Sequence, residues 1–134
     1  MNCDEILEYL EKKKLQKHIN KLAKKYQNKK VLIYGAGLFF NAIQENYDLS
    51  SLNIVAISDN KFEKEEQYKG IKAIPPYEIK NTDFDVMIIA TFEPEYIEDY
   101  AQKDLYPECG KFKIDSFNNY NFKDFIGDVI ACFS

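Results

Sequence analysis

The sequence predicts an α/β fold: a parallel sheet of four or five strands with helices on both faces, a helical segment before it and a helix after it. Three observations lead there. Short apolar runs rich in β-branched residues stand at residues 30–34 (KVLIY), 53–58 (NIVAIS) and 84–91 (FDVMIIAT). Runs that are apolar on both faces mark strands of a sheet covered on both sides. The stretches between them carry apolar residues at helical spacing, the alternation expected of a parallel α/β sheet. Finally, 134 residues, 46% hydrophobic and 30% charged, suit one domain with a core of its own.

Residues 3–27 read as helix, but with two stripes. Cys3, Ile6, Leu7 and Leu10 form one, and Leu15, Ile19, Leu22 and Tyr26 the other. At about 100° per residue the stripes point roughly 110° apart. The phase breaks at Glu11-Lys12-Lys13-Lys14, so either two short helices meet there or one helix touches two partners. The lysines read as a solvated face, with His18 on the same surface. The run at 30–34 ends directly at Gly35-Ala36-Gly37, after which Phe39, Ala42, Ile43 and Tyr47 recur as a helix. The second run is closed by Asp59-Asn60-Lys61, a turn-forming cluster. Residues 61–70, highly charged and ending at Gly70, read as a surface loop, and Ile71 to Ile74 as a short edge strand. Pro75-Pro76 opens a small helix over Tyr77 to Lys80. After the third run, Pro94 starts a helix carrying Ile97, Tyr100 and Ala101, and Phe112 to Ile114 is the last strand. Beyond N-cap Asn121, Phe122, Phe125, Ile126, Val129, Ile130 and Phe133 recur at steps of three and four. That stripe suits a final helix docked on the sheet, or one that pairs with a second copy or a partner domain. The expected boundaries are a helical segment at 1–28, the α/β domain at 29–116 and a C-terminal amphipathic helix at 117–134.

Composition narrows the functions. The net charge of −4 argues against a nucleic-acid partner. It is unevenly placed: residues 1–30 carry nine lysines against four acids, a local +5, and the rest sums to −9. All 18 cations are lysine. Bidentate guanidinium clamps are therefore missing, and any bound anion must be held by backbone amides, a helix N-terminus or lysine point charges. Three widely spaced cysteines (Cys3, Cys109, Cys132) and one histidine (His18) exclude a zinc site of the usual spacing and argue against a disulfide framework. A reducing cytoplasm is the expected setting. No apolar run approaches the roughly 18–20 residues of a membrane span, and the N-terminus lacks a positive-then-apolar signal pattern.

The chemistry concentrates at the strand–glycine–helix junction of residues 30–43. Gly35 permits the tight turn, and Gly37 lets a phosphate approach the backbone with no Cβ in the way. The amides of Gly35, Ala36, Gly37 and Leu38 then stand where the helix dipole favours an anion. Asp59 follows the second strand, 22 residues after Gly37, where a carboxylate can accept hydrogen bonds from a ribose diol; Asn60 stands beside it, and the alternative is a plain turn. Thr91 ends the third run on the same sheet edge, placed to touch phosphate or sugar, or else to cap the Pro94 helix. One departure works against a standard dinucleotide site. Phe40 replaces the third glycine of the fingerprint, opposing the closest helix–strand packing and an open pyrophosphate groove. A nucleotide or NAD-like ligand fits the junction, whereas NADP is disfavoured because no arginine meets its 2′-phosphate. No metal ligands and no catalytic residues are assigned: His18 sits in a lysine-rich helix, and Cys109 lies in a loop with no base in view.

Four segments in this order, KVLIYGAG (30–37), IVAISDNK (54–61), YKGIKAIPPYEI (68–79) and FDVMIIAT (84–91), carry a resemblance. Residues 30–115 resemble the small Rossmann-like domain of bacterial sugar-nucleotide and surface-polysaccharide enzymes. In that family the domain stands at the front of sugar acyltransferases and nucleotide-sugar dehydratases, and is also fused to glycosyltransferases and methyltransferases. The resemblance implies that Gly35, Gly37 and Asp59 line a nucleotide or nucleotide-sugar pocket. The family's catalysis does not carry over, because its acyltransferases use a β-helix with a catalytic histidine and its dehydratases need a second half-fold. The expectation is thus a cytoplasmic nucleotide- or nucleotide-sugar-binding module in cell-surface glycan synthesis, working through a partner domain or as a homodimer joined by terminal helices. Two alternatives stay open: a minimal NAD-dependent oxidoreductase or transferase subunit, and a degenerate Rossmann-like assembly domain.

Overall fold

Aliphatic side chains at Val31, Leu32 and Ile33 and the ring of Tyr34 leave no charged face, so this strand, β1 (Val31–Tyr34), is buried along its whole length. The computed structural model describes residues 2–118. Two helices, α1 (Cys3–Lys12) and α2 (Leu15–Lys25), precede β1. After it come α3 (Leu38–Asn46), β2 (Ile54–Ser58), β3 (Glu66–Tyr68), β4 (Ile71–Ile74), a 3-10 turn (Pro76–Asn81) and β5 (Val86–Ile89). Helix α4 (Pro94–Tyr100) runs through a π-helical stretch (Ala101–Leu105) into α5 (Tyr106–Cys109), and β6 (Lys113–Ser116) completes the described chain. The strands form one mixed sheet in the order β3-β4-β2-β1-β5-β6, parallel everywhere except between β3 and β4.

Because side chains alternate across a strand, the sheet feeds two apolar clusters. Val31, Ile33, Ile57, Val86 and Ile88 meet Ile6, Leu10, Leu15, Ile19 and Leu22 of the N-terminal helices and Phe39, Phe40 and Ile43 of α3. Leu32, Tyr34, Ala56, Met87 and Ile89 meet Ile79 of the 3-10 turn and Ala101 and Leu105 of the π-helical stretch. The helical segment at 1–28 therefore shares a core with the sheet.

Of the two readings of the first helical segment the structure has the first, two short helices, broken at Lys14, which takes φ 55° and ψ 53°. Several other elements differ from expectation. His18 lies beside the lysines but not free in solvent: it is half-buried, and its Nε2 meets the Ser116 carbonyl oxygen at 2.8 Å, tying α2 to β6. The sheet has six strands rather than four or five, because residues 61–70 are not all loop. Glu66, Gln67 and Tyr68 pair antiparallel with β4 through a two-residue turn at Lys69-Gly70. Both turn residues have positive φ, 49° and 83°, as a type I′ hairpin requires. Ile71–Ile74 is consequently an inner strand, between β3 and β2. The π-helical stretch precedes Pro107, whose missing N–H and bulky ring cannot continue an α-helical ladder. Phe117 and Asn118 are not helical. The apolar stripe from Phe122 to Phe133 lies outside the described residues, within which no helix is long and apolar enough to cross a membrane.

Candidate functional site

The sheet order sets the site's position. From β1 the chain steps to β2 on one side, and β5 returns on the other, so the loops after β1 and β5 leave the same edge and diverge. Such a switch point is where open α/β sheets make a crevice beyond their strand ends. Gly35 lies in it with φ 118°, and a Cβ there would stand 2.6 Å from the Ala90 carbonyl oxygen and 3.1 Å from Cγ2 of Thr91. The Gly35 N–H donates to the Ser58 carbonyl at 2.9 Å, and the Ala90 N–H to the Tyr34 carbonyl at 2.8 Å. The two loops are thus in backbone contact, and only glycine fits between them.

Ala36 is clasped from both sides. Its N–H donates to Oδ2 of Asp59 at 2.8 Å, and Oδ1 of the same carboxylate accepts the Lys61 N–H at 3.0 Å. The Ala36 carbonyl accepts from Nζ of Lys61 and, at 3.0 Å, from the Tyr68 hydroxyl. That hydroxyl also lies 2.6 Å from Oδ1 of Asn41. The Lys61 ammonium sits 4.3 Å from the Tyr68 ring centroid, a cation–π contact that holds it beside the turn. Asp59 is therefore first a brace for the glycine turn, with spare lone pairs on both oxygens. The sequence marks Lys61 only as part of the Asp59-Asn60-Lys61 turn and gives no sign that Tyr68 and Asn41 reach this site.

With the Ala36 amide engaged, the open backbone lies one residue further on. Gly37 is the N-cap of α3, with no side-chain cap and no acidic residue in the first turn. Among the described residues nothing lies within 4 Å of the position a Gly37 Cβ would take. Gly37 and Leu38 are both exposed, Leu38 by 55%. Uncapped first-turn amides at the positive end of a helix dipole attract anions. Phe40 does not intrude here: it is wholly buried in the core shared with α1 and α2, its ring 6.5 Å from that of Tyr68.

The remaining candidates flank this opening. Asn60 is exposed, and its Oδ1 accepts from the Tyr34 hydroxyl at 3.4 Å. Burial, reinforced by Tyr100 and Asp59, raises the Tyr34 phenol far above its ordinary range, so it stays a donor. The Thr91 hydroxyl is buried with no hydrogen-bond partner. It does not cap α4, whose N-cap is Glu93. Next to it, Phe92 packs on Phe39 at 4.5 Å and Tyr9 at 5.6 Å. Asn118 closes this corner, donating from Nδ2 to the Phe92 carbonyl at 2.6 Å and accepting the Tyr9 hydroxyl at 2.7 Å.

Away from the turn, clefts of about 470 and 490 Å³ open on either face of β6 near Asp85 and Lys113, at the amino ends of β5 and β6. Cys109 is half-buried, and desolvation, then Glu108, pushes its thiol up, away from nucleophilic behaviour. Among the described residues no group of three or more histidines, cysteines or acids is arranged to hold a metal ion. No curated protein matches the chain. A family model described as "C2185-like, N-terminal" matches residues 27–105, a span from the end of α2 through the π-helical stretch.

Proposed function

The chain belongs to the C2185-like N-terminal family, and from that premise and the glycine-turn geometry we propose that it is a Rossmann-like module binding a nucleotide or nucleotide-sugar. Its setting is the synthesis of cell-surface polysaccharide in the cytoplasm, and its reaction chemistry comes from a partner or further domain. One observation carries the reading: Gly37 opens α3 with uncapped amides, and the space its side chain would fill is empty. In the proposed complex the diphosphate lies on the Gly37 and Leu38 amides. Lys61 offsets the Asp59 carboxylate nearby, and the Thr91 hydroxyl gains the partner it lacks. The sugar diol meets Asn60 and the unused lone pairs of Asp59. The resemblance of residues 30–115 to surface-polysaccharide enzymes supports the pathway.

Calorimetric titration of the chain with UDP-sugars, CDP-sugars and NAD(H) tests the proposal. A saturable heat with one nucleotide class, lost in a Gly37→Val variant that unfolds at an unchanged temperature, is the expected result. Silence from every ligand at millimolar concentration discards it.

A further inference from the structure

We propose that the concave face where α1 meets α2 binds a polyvalent phosphate anion, either an inorganic oligophosphate or the phosphorylated head group of a lipid. A cleft of about 190 Å³ lies there, lined by Lys13, Lys14, Lys17, His18 and Lys21. Among the described residues its lining holds four ammonium groups and no carboxylate. Lys14 in its left-handed conformation, unfavourable for a residue with a side chain, is the hinge that gathers the two lysines between the helices, Lys13 and Lys14, and the first two of α2, Lys17 and Lys21, around one hollow. Lys17 and Lys21 stand one turn apart on α2, an arrangement of like charges that weakens a helix. No ion pair among the described residues engages Lys14, Lys17 or Lys21. Lys13 is occupied, standing 5.8 Å from the Tyr9 ring centroid, so the charge for a ligand comes from the other three. His18, anchored on Ser116, forms a wall.

Size separates this cleft from the glycine turn. At about 190 Å³ it falls short of the roughly 300 Å³ at which pockets for larger ligands begin, which suits linked phosphates better than a whole nucleotide. Lysines recognise charge rather than shape. Affinity is therefore expected to rise from phosphate to pyrophosphate to tripolyphosphate, and to fall with added salt.

The test titrates the full chain with these three anions, by calorimetry and by amide chemical shifts. A parallel arm sediments it with phosphatidylcholine vesicles, plain or doped with phosphatidic acid. A Lys17→Gln/Lys21→Gln variant is compared with a Lys29→Gln/Lys64→Gln control of equal net charge, both checked for unchanged thermal unfolding. Tripolyphosphate binding that shifts residues 13–21, weakens about tenfold in the first variant and persists in the control upholds the site. The same pattern with doped vesicles alone also upholds it and names a lipid as the source. Equal loss in both variants, shifts at residues 35–38 instead, or no binding in either arm overturns it.

Discussion

Gly35 and Gly37 stand two residues apart in one turn and are glycine for different reasons. Gly35 has a left-handed backbone and a neighbouring carbonyl where a side chain would be; it is glycine because the fold leaves no choice. Gly37 has ordinary extended geometry, φ −99° and ψ −157°, and empty space beside it. No contact among the described residues forbids a side chain there. Gly37 caps α3, a position that glycine suits, and the room beside it is what the proposed ligand needs; this contrast sets the experiments.

The largest effect is expected at the first glycine. Gly35→Ala should lower stability by about 3 kcal/mol, combining backbone strain with overlap on Ala90, read as a shifted urea midpoint. Asp59→Ala should follow at about 2 kcal/mol, because the Ala36 amide loses a charged acceptor. Fraying of residues 35–37 in hydrogen exchange would accompany it. Next comes a pH effect. The Tyr34 phenol is raised in the fold and ionises near its usual value of about 10 when unfolded. Its contribution is thus complete below about pH 10 and lost as pH rises beyond it. Tyr34→Phe should flatten that part of the alkaline stability profile. The smallest stability change belongs to the second glycine. Gly37→Ala should move the urea midpoint by no more than about 0.5 kcal/mol, while nucleotide titration heats weaken. If Gly37→Ala unfolds the chain as Gly35→Ala does, the two glycines share one structural role and the contrast disappears.

What could be read in advance follows the same division. β1, β2 and β5 announced themselves because buried parallel strands must be apolar throughout, and α3 because Phe39, Ala42 and Ile43 repeat at helical spacing. β3 left no such trace: Glu66 and Gln67 are exposed, so its pairing rests on backbone bonds and on the turn at Lys69-Gly70. His18 looked like surface because its partner, Ser116, is 98 residues away. Of the site, Gly35, Gly37 and Asp59 were legible as a motif, but the direction of the Asp59 carboxylate was not. It depends on where the β1 and β2 ends meet in space, as does the arrival of Lys61 and Tyr68 around Ala36. Phe40 shows the reverse error: a rule about spacing cast it as an obstruction, whereas one helical step carries its ring into the core.

Both borders of the described sheet are blunted. Along β3 the border carries Glu66, with Glu65 close by paired to Lys72. Along β6, the outward Ser116 carbonyl is hooked by His18 and its N–H by Asp115 Oδ1. An unguarded strand invites a second molecule to extend it, and from there filaments grow. Charge on one side and a helix latch on the other work against that kind of growth at both borders.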